Sequence, residues 1–205
     1  MRPVWLHGWP LDERMWEREV RRFGGVAVRL YGCGESIDGW AEQLLGELDG
    51  DELALVGSSM GGYTALALAR RAPERVAAIV LSASKAAADT PERKAFRDEL
   101  IERLRRDGPP PHAADGITVE ELAACQAAIR DRPDATDVVR RFAGVFVACA
   151  GSRDELVRPE EARALAALAP NGRAEVFDTD HFVNLDDPAG FEAMLETVLG
   201  GMVQE

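Results

Sequence analysis

Six short runs of apolar, largely β-branched residues recur along the chain, at 4–6, 26–30, 53–56, 76–81, 145–149 and 174–177. Each is nearly continuous rather than alternating, the pattern of strands covered on both faces. Between them lie amphipathic segments with helix signals: Asp12 ahead of Met15, Trp16 and Val20, Ile37 to Leu48 with apolar spacing, Gly62 to Ala72 stopped by Pro73, and Pro159 to Leu168. Pro188 opens a last helix carrying Phe191, Leu195 and Val198. Strands alternating with helices predict a parallel sheet built from right-handed βαβ units. The expected fold class is α/β, a three-layer α/β/α sandwich with a six-stranded parallel sheet, in a single domain over residues 1–205.

One stretch breaks this rhythm. About sixty residues separate Ser82 from Val145, far more than a βα or αβ loop takes. Thr90 to Arg106 reads as a helix with Phe96, Leu100 and Leu104 on one face. A Gly108-Pro109-Pro110-Pro111 break follows, then a second helix opened by the capping-box pattern Thr118-Val119-Glu120-Glu121. A helical insertion on a parallel sheet has the form of a lid, expected over residues 85–142. The plainer alternative is a helical decoration that only covers apolar surface.

Composition narrows the classes. A chain of 205 residues can bury a core without disulfides, and 46% hydrophobic with 29% charged residues excludes disordered, collagen-like and coiled-coil chains. The longest apolar stretch, Val76 to Ala88, is interrupted by Lys85 and too short for a bilayer. The strand-like start Met1-Arg2-Pro3-Val4-Trp5-Leu6 leaves no room for a secretion signal, so a cytoplasmic location and no membrane partner are expected. A formal charge of −12 argues against a nucleic-acid surface. Cys33, Cys125 and Cys149 are odd in number and form no C-x-x-C pair, which encodes neither a disulfide framework nor a zinc site, and Cys149 falls inside an apolar run.

Chemistry concentrates after the third strand, in Gly57-Ser58-Ser59-Met60-Gly61-Gly62. A sharp strand-to-helix turn needs small residues at its ends, and Gly57, Gly61 and Gly62 lift the hydroxyl of Ser59 above the sheet's carboxyl edge. The following helix aims its first amides at any developing negative charge. A serine hydroxyl needs a base. Of three histidines, His112 follows the prolines of the lid loop, His7 follows the first strand, and His181 follows the last strand on the same edge as Ser59. His181 is the better base. Its orienting carboxylate is expected to be Asp154, in the turn after the fifth strand, ahead of Asp178, the chain-adjacent Asp180 and the nearest substitute Glu155.

These pieces, with His7-Gly8-Trp9-Pro10, Pro73-Glu74-Arg75-Val76, Gly151 to Asp154 and His181-Phe182, resemble the α/β-hydrolase fold superfamily over nearly the whole chain, in its carboxylesterase branch with enzymes of the pimeloyl-carrier-protein methyl esterase type. The resemblance implies a Ser59, Asp154, His181 triad, with the backbone N–H groups of Trp9 and Met60 as oxyanion hole and His7 shaping the loop. It implies hydrolysis of a small, mostly apolar carboxylic ester or thioester through an acyl-enzyme, with no metal or cofactor and a small-molecule partner. Trp9, Leu11 and Phe182 are expected to line the pocket. Nothing in the chain reads as a dedicated carboxylate or phosphate clamp, although Arg153 and Arg158, near the turn of Asp154, are candidates to hold an acidic group.

Three departures stand out. The family's Asp-x-Pro-Gly-x-Gly-x-Ser loop reads Arg29-Leu30-Tyr31-Gly32-Cys33-Gly34-Glu35-Ser36 here, Asp180 replaces a usual glycine, and the family's opening antiparallel hairpin has no counterpart. The same triad also serves cofactor-free C–C bond hydrolases and perhydrolases, and a hydrolase fold can serve as a non-catalytic ligand-binding protein. Neither G-x-G-x-x-G nor G-K-[ST] follows a strand, which leaves no nucleotide-binding turn.

Overall fold

A computed structural model describes residues 1–49 and 52–200. Six strands, β1 (Arg2–Leu6), β2 (Val26–Val28), β3 (Leu53–Ser58), β4 (Val76–Ser82), β5 (Val145–Gly151) and β6 (Gly172–Phe177), pair in the order β2-β1-β3-β4-β5-β6, and every pairing is parallel. This is the expected six-stranded sheet. β2 is shorter than its apolar run, because beyond Val28 the backbone turns aside and the Leu30 amide donates to the His7 ring instead of extending the ladder.

Successive side chains on the strands enter two separate cores, as a period of two with both faces covered requires. Val4, Leu6, Leu53, Leu55, Ile79, Leu81, Phe146 and Ala148 face one core, under α2 (Ile37–Glu47), α3 (Met60–Arg71) and α7 (Pro159–Ala166). Trp5, Val56, Val80, Val147 and Cys149 face the other, under α1 (Glu17–Phe23) and α8 (Pro188–Leu199), where Trp16 and Phe191 pack with ring centroids 6.0 Å apart. All three cysteines are free and buried.

Three helices fill the long connection between β4 and β5: α4 (Pro91–Asp107), α5 (Val119–Arg130) and α6 (Thr136–Arg141). Thr90 caps α4, and Thr118 with Glu121 forms the capping box of α5, as their sequences predict. One detail differs. The inward face of α4 is Arg97, Ile101 and Leu104, whereas Phe96 is 45% exposed. The arginine goes in because partners await it there, and the phenylalanine ring stands at the rim of the cavity described below, beneath the Arg93 guanidinium, 5.6 Å from its centroid.

Strand order reverses at β1, whose neighbours β2 and β3 lead the chain in opposite directions, and a crevice opens at the carboxyl ends of β1 and β3. Glycine contacts close the base of this crevice. A Cβ on Gly57 would lie 2.5 Å from the Gly61 carbonyl carbon and the Gly62 nitrogen, and one on Gly61 would collide with the Leu6 carbonyl. We therefore expect Gly61→Ala to force β1 and α3 apart, costing about 3 kcal/mol at the upper end for overpacking. Thermal unfolding followed by circular dichroism should show Tm lowered by about 6–12 °C for a chain of this size.

Candidate active site

Ser59 stands between β3 and α3 with φ 48° and ψ −107°, a region that residues with a side chain rarely adopt. Its amide donates to the Ser82 carbonyl (2.8 Å), and its carbonyl accepts from the Gly62 amide (3.0 Å) and the Ser84 hydroxyl (2.8 Å). Met60 opens α3, so its N–H has no intrahelical acceptor. Neither the Met60 amide nor the Trp9 amide donates to a protein acceptor among the described residues.

His181 follows β6 and approaches the turn after β5. Its Nδ1 lies 2.8 Å from Asp154 Oδ2, while Asp154 Oδ1 accepts from the Leu156 amide (2.8 Å) and the Val157 amide (3.0 Å). Burial alone would raise the Asp154 carboxyl. The hydrogen bond and charge of His181 and the two amides outweigh it and hold the group below the ordinary carboxylate range. The turn is tight: the Asp154 amide donates to the Gly151 carbonyl, and a side chain on Gly151 would collide with the Asp180 and Thr179 carbonyls. The nearer aspartates turn outward, since Asp178 and Asp180 both pair with Arg153 at the surface.

Ser59, His181, Trp9 and Phe182 line one cavity of about 690 Å³, roofed by α4, α5 and the proline loop. The structure thus brings Ser59 and His181 to the same space and joins His181 to Asp154. Among the described residues the Ser59 hydroxyl makes no hydrogen bond to His181, a contact that in hydrolytic sites often tightens only with substrate. Phe182 stands edge-on to the His181 ring, 5.1 Å between centroids. Trp9 reaches α5 through its indole N–H, which donates to the Leu122 carbonyl (3.2 Å).

Two expectations are corrected. Leu11 is not part of the cavity wall: it packs toward the core of Trp5 and Trp16, and its carbonyl accepts the Tyr31 hydroxyl (2.9 Å). Arg153 and Arg158 do not face the cavity either, since Arg153 is held by Asp178 and Arg158 lies 3.9 Å from Glu161. The acidic-group candidates lie elsewhere. Lys85, Arg93, Arg97 and Arg103 line the cavity with one lining carboxylate, Asp107, while Lys85 pairs with Glu161 (2.8 Å) and Arg97 with Asp89 off the wall. The available signal was Arg97 itself, which falls three and four residues before Leu100 and Ile101 on the inward stripe of α4.

His7 is fully buried beside the crevice. Its Nε2 accepts from the Leu30 amide (2.9 Å), which leaves the proton on Nδ1, near the Gly8 carbonyl at 3.1 Å. The ring stacks on Tyr31, 5.0 Å between centroids. It therefore fixes the loop that carries Trp9, and it is not on the cavity wall.

A family model described as the alpha/beta hydrolase family matches residues 4–194. Pimeloyl-[acyl-carrier protein] methyl ester esterase of Vibrio campbellii is 33% identical over 143 residues, which are 60% of this chain and 52% of that protein, so the chain spans about half the length of this curated relative. A thermophilic esterase from Thermogutta terrifontis superposes with a TM-score of 0.87 at 27% identity, over 98% of this chain and 90% of that one. An enol-lactonase from Burkholderia xenovorans shares the fold, with a TM-score of 0.78 at 21% identity over 97% and 90% of the two chains.

Burial lowers the His7 pKa from its ordinary 6.5 to about 4, against the raising effect of the Gly8 carbonyl. The unfolded chain takes up this proton near 6.5 and the folded chain only near 4. Stability from the neutral ring is therefore complete above pH 6.5 and is lost as pH falls toward 4, by up to about 3 kcal/mol. Urea unfolding at pH 7.0 and 4.5 should show the wild type losing about 2–3 kcal/mol more than His7→Gln over that interval. Equal losses would mean that His7 carries no such proton deficit.

Proposed function

Since the chain belongs to the alpha/beta hydrolase family, we propose that it is a serine hydrolase cleaving small carboxylic esters or thioesters through an acyl-enzyme, with Ser59 as nucleophile, His181 as base and Asp154 as its orienting carboxylate. The observation that carries this reading is the partly buried Asp154 to His181 hydrogen bond, 2.8 Å long, at the edge of the cavity that also holds the strained Ser59.

Asp154 accepts the Nδ1 proton of His181, which leaves Nε2 as the acceptor on the ring's other side. Nε2 takes the hydroxyl proton as Ser59 Oγ attacks the carbonyl carbon. The imidazolium that forms is stabilised by the ionised Asp154, whose lowered pKa suits that task. The carbonyl oxygen, now negative, has two unclaimed donors within reach of this design, the amides of Trp9 and Met60, each worth about 3–4 kcal/mol in comparable sites. His181 returns the proton to the leaving alcohol or thiol. Water then attacks the acyl-enzyme with His181 again as base, and Ser59 is regenerated. Every group in these steps belongs to the chain itself.

The fold adds two supports. Ser59 directly follows β3, and Asp154 and His181 stand in short turns three and four residues beyond the ends of β5 and β6, so none of the three rides on a long loop. The helices α4 and α5 that roof the cavity cover part of the reacting centre. Cytoplasmic residence fits a chain in which no described helix is long and apolar enough to cross a membrane, and it stays part of this proposal.

Ser59→Ala should abolish hydrolysis of p-nitrophenyl acetate and butyrate together with covalent labelling by a fluorophosphonate. Labelling that persists in this variant would remove Ser59 from the nucleophile's role. Asp154→Asn keeps the shape of the turn but disturbs the imidazole tautomer, and kcat is expected to fall about 10³–10⁴-fold, with fluorophosphonate labelling slowed in parallel.

A further inference from the structure

Arg97 on the cavity wall belongs to a charged network that ester hydrolysis does not require. Asp89, in the loop before α4, takes Arg97 Nε on one oxygen and Arg132 Nη1 on the other (2.9 Å), and all three side chains are more than nine-tenths buried. Arginines remain protonated, so two positive charges face one negative charge and a net unit charge stays enclosed beneath the lid. Such a charge is costly unless a further anion meets it.

The donors left over point to where that anion goes. Arg97 spends Nε on Asp89 and Nη1 on Gln126 Oε1 (2.6 Å), and its Nη2 has no protein acceptor among the described residues. Because the guanidinium only donates, the Gln126 carbonyl must face it, which leaves the Gln126 amide nitrogen as a second donor without a protein acceptor. Both residues line the cavity that holds Ser59 and His181. Arg93, one helical turn before Arg97 on α4, lines it too and has no carboxylate within ion-pair distance among the described residues. Arg132, by contrast, is retired behind the Tyr63 ring, 4.0 Å from its centroid.

We propose that Arg97 and Gln126, reinforced by Arg93, form an anion subsite within the reaction cavity, so that the preferred substrates are esters bearing a second, ionised oxyacid group remote from the ester bond. The inference rests on reading this cavity as an ester-hydrolysing site. Two fixed N–H donors with a positive charge behind them match two oxygens of a carboxylate or of a phosphate monoester. Leu100, Ile129 and Val157 line the same cavity and suit a methylene spacer.

The test compares kcat/KM for methyl hexanoate with that for monomethyl succinate, glutarate, adipate and suberate, and for methyl 4-(phosphonooxy)butanoate. At least one charged ester is expected to exceed the neutral ester about tenfold or more, mainly through KM. The best member reports spacer length, and the phosphate arm distinguishes the two oxyacids. That charged-to-neutral ratio should fall about fivefold or more in Arg97→Gln and in Gln126→Leu, the latter leaving the Arg97, Asp89 and Arg132 network in place should the former not fold. A ratio at or below one for every charged ester in the wild type, or a ratio unchanged in both variants, overturns the proposal. Calorimetric titration of Ser59→Ala separates this from the hydrolase reading. There monomethyl adipate or a charged homologue should bind more tightly than methyl hexanoate whether or not any ester is turned over, and equal or weaker binding of all of them removes the subsite.

Discussion

Ser59 is held in a backbone conformation that costs about 1–3 kcal/mol for a residue with a side chain, and the surroundings that offset this cost organise everything else in the site. Its amide and carbonyl are tied to β4 and to the loop after it, through Ser82 and Ser84. The first turn of α3 must then pass so close to β1 that only glycine fits at position 61, against the Leu6 carbonyl. Leu6 leads directly into His7, Gly8 and Trp9. One tight packing event therefore sets the exposed hydroxyl, the first free amide of α3 and the start of the loop that carries the other free amide. Gly8 continues the pattern, since a Cβ there would stand 2.7 Å from the Phe182 ring next to His181.

Most of this was legible in the chain because its determinants are local. Continuous apolar runs, proline and glycine punctuation and the Thr118 and Glu121 capping box are set by neighbours a few residues apart, and each appears where the sequence predicts it. The order Ser59, Asp154, His181 could be placed at one sheet edge because each follows a strand of a parallel sheet. Long-range features were harder. That Leu11 turns to the opposite core depends on Tyr31 claiming its carbonyl, and the burial of Arg97 in preference to Phe96 depends on Asp89 and Gln126, which lie on other elements. Periodicity treats an arginine as polar and a phenylalanine as core, whereas the folded protein decides by available partners.

Charge distribution shows the same contrast between surface and interior. The chain carries −12 overall, and many of its arginines sit in exposed ion pairs, such as Arg140 with Asp137 or Arg163 with Glu160, that contribute about 0–1 kcal/mol each. Along the cavity wall the balance inverts, with Lys85, Arg93, Arg97 and Arg103 lining it beside the carboxylate of Asp107. A locally positive chamber inside an acidic exterior favours transfer of an anion from the mouth to the interior and disfavours its loss to the outer surface, a gradient built from a handful of side chains.

The indole N–H of Trp9 joins the loop between β1 and α1 to the Leu122 carbonyl of α5, across 113 positions of sequence. Any outward swing of α5 must break that bond or draw the loop with it. On the mechanism proposed above, the covering of the cavity and the placing of the Trp9 amide are therefore joined through one hydrogen bond, so that a change in the position of α5 would be felt at the carbonyl oxygen.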